Sequence, residues 1–183
     1  MRKFEYVQHF ETKKGNKFLL RPASLDDANI IQENIQTVCD ERIFLYTDSF
    51  LMTKEWENVL ADPVNEEKGL LLILAEVDKM VVGHLRLFPP WYGRKGRHVG
   101  EVGLSIIQQW RGHGIGAAMI TYTLKWAKHI GEYQKTTASV FSINIRALNL
   151  FFKFGFFEEG RRKKQILINQ DYIDEILLGR FLK

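Results

Sequence analysis

The chain has 183 residues, 45% of them hydrophobic and 26% charged, which is ordinary for a folded globular protein and excludes global disorder. That length suits a single domain spanning residues 1–183, with a full core, and is short for two. A formal net charge of +4 is too weak to mark a nucleic-acid binder, one cysteine excludes an intramolecular disulfide, and no apolar run approaches the roughly twenty residues of a membrane helix.

Met1-Arg2-Lys3-Phe4 leads into alternating polar residues, unlike a signal peptide, so a cytoplasmic protein is expected. The alternation from Phe4 to Phe10, the turn Lys13-Lys14-Gly15-Asn16 and the extended Phe18-Leu19-Leu20 predict an opening hairpin. Pro22 ends it. Ser24 with Asp27 makes a capping box for a helix to about Asp40, with Ala28, Ile31, Ile35 and Val38 on one apolar stripe. Cys39 falls on that stripe as a buried small hydrophobe rather than a nucleophile, and a lone thiol fits a reducing compartment.

Residues 41–46 have no clean periodicity and read as a connection, followed by a short helix from about Thr53 to Leu60 and a loop opening at Asp62-Pro63. Gly69 to Val77 is a nearly continuous apolar run, hence a buried strand, and Asp78-Lys79 turns it into a second strand through Leu87. Prolines and glycines in 89–97 break regular structure, and the aromatic residues there suggest either a lid or a loop folded back on its own aromatic side chains. Later come a strand from His98 to Ile107, a helix to about Ile130, a strand from Gln134 to Phe141 and a helix from Asn144 to Phe154 stopped by Gly155. Two long strands joined at Asn169-Gln170 close the chain, and their exposed edge could pair two subunits as a homodimer. Arg161-Arg162-Lys163-Lys164, inside the first of them, reads as a solvated face, so no nucleic-acid partner is expected.

The stretch richest in chemistry is Gln109-Trp110-Arg111-Gly112-His113-Gly114-Ile115-Gly116, a glycine-rich turn between a strand and a helix. The first amides of a helix lack intrahelical acceptors and sit at the positive end of its dipole, so such a junction can hold an anion. A Walker A loop would need a Gly-Lys-Ser/Thr ending, and the spacing of glycines 112, 114 and 116 does not fit a dinucleotide fingerprint. Gln109-x-x-Gly112-x-Gly114 resembles the Gln/Arg-x-x-Gly-x-Gly/Ala pyrophosphate loop of the GCN5-related N-acetyltransferases (GNAT). A second segment, Asn144-x-x-Ala147-x-x-Leu150-Phe151-x-x-x-Gly155-Phe156, is similar to that family's Asn-x-x-Ala-x-x-Leu-Tyr-x-x-x-Gly-Phe.

The resemblance covers nearly the whole chain and implies an α/β (α+β) fold, with a mixed, mostly antiparallel central sheet, helices on both faces and a splayed parallel strand pair. It implies acetyl-CoA as co-substrate and a small-molecule or peptide amine as acceptor, with no metal, nucleic acid or membrane as partner. Pantetheine would slip between strands ending near Ile106 and Phe141, beside Leu104, Ile106 and Asn144, while the amides of 111–116 (Arg111, Gly112, His113, Gly114, Ile115, Gly116) hold the pyrophosphate near Gln109. The connection 41–53 and the loop 89–97 would wall the acceptor pocket.

Amines near pKa 10 are mostly protonated at neutral pH, so attack on a thioester calls for a base. Glu101 is the candidate, five residues before Ile106 at the position where many family members carry a catalytic glutamate; its apolar neighbours Val99 and Val102 are expected to raise its pKa. His84 and His98 are weaker candidates. Phe151 stands where many relatives have the tyrosine that protonates the leaving thiolate, so it sits either beside the sulfur or in the core with Leu148 and Phe154. A rival expectation is an acyl-CoA sensor that binds the cofactor without turnover.

Overall fold

The computed structural model describes residues 4–12, 14–90 and 93–182. Lys13 of the first turn, the Trp91-Tyr92 pair of the expected lid and the first three residues lie outside them.

β1 (Gln8–Glu11) and β2 (Lys17–Pro22) form the opening hairpin. β1 starts later than the alternation suggests, because Phe4 and Tyr6 pack elsewhere: Phe4 meets the Tyr122 ring edge-on at 5.2 Å, and the Tyr122 hydroxyl donates to the Tyr6 carbonyl at 3.0 Å. The Asp27 carboxylate accepts from the Ser24 N–H at 2.8 Å, and a single 3-10 turn leads into α1 (Ala28–Cys39), whose Cys39 is buried as expected. After the 40–53 connection, α2 (Lys54–Ala61) is capped by Thr53, and the two-residue β3 (Val64–Asn65) precedes the central hairpin. That hairpin is β4 (Leu70–Val77) and β5 (Met80–Phe88), turned at Asp78 and Lys79, which both take positive φ, as a tight two-residue hairpin demands. There follow β6 (Val99–Ile106), α3 (Ile115–Ile130), β7 (Lys135–Phe141), α4 (Ile145–Lys153), β8 (Phe157–Ile168) and β9 (Asp171–Phe181).

The sheet runs β1-β2-β4-β5-β6-β7-β9-β8, with β3 on β4, and among the described residues β6 and β7 are its parallel pair. β4 is apolar on both faces because both are covered. Leu71, Ile73 and Ala75 join the cluster built around Met119, Tyr122 and Trp126 of α3, while Leu72 and Leu74 join Ile31, Ile35 and Leu60 of α1 and α2. The basic run 161–164 falls on a bulge of β8, where Arg161 faces Glu158 and Asp174, and Arg162 faces Glu175.

One irregularity interrupts the sheet near its centre. β6 and β7 pair only from Val99 to Glu101, against Lys135 to Thr137. Beyond Glu101, β6 stays bonded to β5 and β7 stays bonded to β9, but the two strands part. The edges facing the gap therefore carry backbone groups without a strand partner.

Candidate active site

At the head of the gap the chain leaves β6, makes a 3-10 turn at Gln108–Trp110 and enters α3 through the glycines. Gly112 and Gly114 have φ of 83° and 95°, a region costly for any residue with a Cβ, so both are required by the path itself. Gly116 is glycine for another reason. A Cβ there would lie 3.0 Å from Leu150 and 3.4 Å from Ile106, so its absence lets α3 close against β6 and α4. Among the described residues the amides of 112–116 have no backbone acceptor, whereas the Arg111 N–H already donates to Gln108 at 3.2 Å. The amides left without a backbone acceptor among the described residues thus begin at Gly112. Gln109 is exposed and lines neither neighbouring cavity. The same pattern also fits two residues on, as Arg111-x-x-Gly114-x-Gly116, and this frame has its last glycine in the first turn of α3.

The Arg111 side chain points away from the loop. Its guanidinium grips the Glu41 carboxylate with two bonds of 2.5 and 2.6 Å, donates to the Ile106 carbonyl at 2.7 Å and lies over the Phe44 ring. It thus fastens the connection after α1 to the end of β6. Beneath this roof lies a cavity of about 470 Å³, lined by Leu104, Ile106, Asn144 and Ala147 among others.

A second, larger cavity of about 760 Å³ shares Phe44, Leu104, Asn144 and Ala147 with the first and continues past Glu101, Arg86, Ser139 and Phe151. Its far wall holds a buried carboxylate, Glu175, only 4% exposed. Tyr46 donates to it at 2.5 Å, Arg162 at 2.9 Å, and Ser139 also donates. Burial pushes the Glu175 carboxyl up, but those hydrogen bonds from Ser139, Tyr46 and Arg162 outweigh it and hold it below the usual glutamate range. Tyr46 is pushed up to about 12 by burial and by that carboxylate, so its hydroxyl is a poor proton donor. Together Glu41 and Tyr46 tie the connection to both sides of the gap.

Residues 35–156 match the family model described as the Acetyltransferase (GNAT) family. The chain belongs to this family. It is an acetyl-CoA-dependent N-acetyltransferase, as two curated relatives are also N-acetyltransferases. L-amino acid N-acetyltransferase AaaT of Escherichia coli is 28% identical over 68% of this chain and 74% of that protein. An N-alpha-acetyltransferase of Sulfurisphaera tokodaii is 28% identical over 83% and 87%. Among solved structures, a GNAT-family acetyltransferase from Streptococcus pneumoniae superposes with a TM-score of 0.82 at 23% identity, covering 91% of this chain and 99% of that one. A phosphinothricin acetyltransferase from Sinorhizobium meliloti, solved in complex with AcCoA, gives 0.80 at 17% identity, covering 97% and 89%. The expected fold, with its mostly antiparallel sheet and one splayed parallel pair, is the acetyltransferase fold of these neighbours.

Within this acetyltransferase the remaining candidates fall into place unevenly. Glu101 lines the large cavity but is exposed rather than enclosed by apolar neighbours. The alternation of β6 turns Val102 into the core and leaves Glu101 on the opposite face, where the gap opens. Asn144 spends its side-chain oxygen on capping α4, accepting from Ala147 at 3.1 Å, which leaves its amide nitrogen to donate. Phe151 is 4% exposed and packs edge-on against Phe156 at 5.0 Å, so it belongs to the core while also lining the cavity. His84 is buried beside Trp56; burial, and then the charge of Arg86, pull it down to about 4, so it is neutral at pH 7. His98 is exposed and lines neither cavity.

Glu41, Tyr46, Ser139 and Glu175 were absent from the candidates read from sequence. Glu41 and Tyr46 lie in the 41–53 connection expected to wall the pocket, and Glu175 left a trace as a carboxylate in the row Ile173, Glu175, Leu177 of an otherwise apolar strand face.

Proposed function

We propose that this enzyme transfers the acetyl group of acetyl-CoA directly to the amine of a small molecule or peptide, with Glu101 as general base. The observation that carries the reading is the position of Glu101: it is the last residue of β6 paired with β7, and its side chain faces the cavity that opens where the pairing stops. The residues present fit the cofactor. Five amides at 112–116 without a backbone acceptor among the described residues, and without Cβ atoms at 112 and 114, suit a pyrophosphate, and the edges of β6 and β7 beyond their pairing suit the amides of pantetheine. Asn144, Leu104 and Ile106 would line that arm. When bound, acetyl-CoA supplies an activated acyl group as a thioester.

The chemistry of the chain is then modest. Glu101 takes a proton from the amine, directly or through a water in the open cavity, so that the nitrogen lone pair is free to attack. Attack forms the carbon–nitrogen bond, the carbon–sulfur bond breaks, and the second proton that the nitrogen sheds goes to the departing sulfur, giving the thiol, or to water where the sulfur leaves as a thiolate. Backbone N–H groups of β6 beyond Glu101, where pairing with β7 has ended, would favour a developing oxyanion. No metal and no covalent enzyme intermediate is required. The relatives' names support an amine acceptor of two kinds, an L-amino acid in one and an N-alpha amine in the other. The test is thiol release from acetyl-CoA with a panel of amino acids, polyamines, aminoglycosides and peptide N-termini. Cofactor binding with no release on any of them would overturn the reading in favour of a sensor.

A further inference from the structure

The charges lining the large cavity are not all satisfied by one another. Six charged side chains line it: Arg86, Glu101, Lys135, Glu159, Arg162 and Glu175. Lys135 pairs with Glu159 at 2.7 Å, and Arg162 pairs with Glu175 at 2.9 Å. That leaves one cation and one anion, Arg86 and Glu101, and neither has an ion pair among the described residues.

Their placement is specific. On the β5–β6 ladder Arg86 stands opposite Gly103 and Phe88 opposite Glu101, so Arg86 and Glu101 are diagonal neighbours on one face. Diagonal positions on an antiparallel pair are about 7–8 Å apart, too far for direct contact between the backbones they spring from but within reach of one small bridging ligand. The Arg86 side chain has been given room to lie down. A Cβ on Gly103 would fall 2.7 Å from its Nε and 3.1 Å from its Cγ, so the glycine leaves the arginine its present path over β6, and its guanidinium also rests 5.6 Å from the centre of the Phe88 ring. A half-buried guanidinium, set against an aromatic ring over a glycine floor, facing the cavity and without an ion-pair partner among the described residues, is built for an anion that arrives with a ligand.

We propose that Arg86 is the specificity-determining residue of the acceptor site, taking the α-carboxylate of a free amino acid whose amine faces Glu101. The proposal rests on the reading of Glu101 as the base. An α-amino acid carries its amine and carboxylate on one carbon, and a hydrogen bond of about 2.7–3.2 Å at each end lets it span diagonal neighbours. A peptide N-terminus has a neutral amide where that carboxylate would be, so it gives Arg86 no charge to bind and leaves a partly desolvated cation unpaired. The site therefore favours free amino acids over peptides.

The experiment compares each L-amino acid with its own carboxamide, which keeps the amine and side chain and removes only the carboxylate. Wild-type kcat/KM by thiol release is expected to favour the acid by about 10- to 100-fold, the range of a charge-assisted hydrogen bond. Arg86→Gln should collapse that ratio towards unity, and Arg86→Lys should restore part of it. A merely structural role would lower both acceptors by one factor and keep the ratio. Equal turnover of acid and carboxamide by the wild type would overturn the proposal without any variant. Calorimetry of the same pairs on the protein loaded with coenzyme A separates the two readings. If no amine is turned over yet acids still bind better than carboxamides in an Arg86-dependent way, the catalytic reading fails and the assignment of Arg86 stands.

Discussion

The two halves of the site are built from different materials. The loop at 112–116 offers backbone amides from five consecutive residues, fixed by two left-handed glycines and the start of a sixteen-residue helix. The large cavity, proposed to take the acceptor, offers side chains, and its polar wall draws Tyr46, Arg86, Glu101, Ser139 and Glu175 from separate segments, with Tyr46 and Glu175 separated by 129 positions. A backbone site suits a ligand part that never changes. A side-chain site can be altered one residue at a time without touching the path of the chain, which is what a change of acceptor requires. Arg111 joins the halves: its residue belongs to the loop, and its guanidinium holds the Glu41 end of the connection after α1.

If that division is right, substitutions in the two halves should separate cofactor binding from turnover. The largest effect is expected at Glu101. Glu101→Gln keeps size and polarity but cannot take a proton, so kcat should fall about 10²-fold or more with the dissociation constant of acetyl-CoA nearly unchanged. A loss below threefold, measured at saturating cofactor, would move the base elsewhere or give its role to solvent.

The mirror-image substitution is Gly114→Asp. It sets a carboxylate at the positive end of α3 and a Cβ at a φ of 95°, and should weaken acetyl-CoA binding by roughly 10- to 100-fold in calorimetry. Gly114→Asn makes the same backbone demand without the charge, so its smaller loss isolates the electrostatic part. Equal losses in the two variants would mean that shape rather than repulsion governs the loop.

A third substitution probes the wall through its stability. Since the Glu175 carboxyl is held below its ordinary range, its network contributes stability above pH of about 4.3, the unfolded value, and loses it as pH falls through the folded value. Glu175→Gln removes the charge but not the shape. Its melting temperature should lie on the order of 5 °C below wild type at pH 7, with the two curves converging below about pH 4. A gap constant from pH 7 to pH 3 would show that packing, and not the ionised carboxylate, was lost.

The same division explains what could be read in advance. Strand and helix periods, the Asp78-Lys79 and Asn169-Gln170 turns and the glycine loop are local, and each is written in adjacent residues. The α4 segment was legible too, because Asn144 as cap and Gly155 as stop bound a short amphipathic run. The roles of Glu41, Tyr46 and Arg86 depend on partners 70, 129 and 17 positions away, brought close only by the sheet order. Even the exposure of Glu101 could not be judged from its apolar neighbours, since the gap beside it comes from strands parting, which no local pattern records.

The smallest expected effect, and the sharpest test of where the two halves meet, is Phe151→Tyr. Phe151 is buried against Phe156, yet one side of it lines the large cavity. A thiol of pKa about 8.5 leaves as a thiolate at little cost near neutral pH, so an acid assists the step without being obligatory. Turnover should therefore be unchanged or rise by up to roughly 10-fold, the lower part of what a positioned acid contributes. A new fall in rate should accompany it as pH rises towards about 10, where a phenol ionises, and the wild type should lack that limb. Melting temperature decides between the two places for the oxygen. If the ring presents its tip to the cavity, stability is retained, whereas a tip buried against Phe156 would strand a hydroxyl without a partner and lower the melting temperature by several degrees. Loss of turnover in a variant that still folds and binds acetyl-CoA would mean the ring has no room for an oxygen, and Phe151 would then serve the core alone.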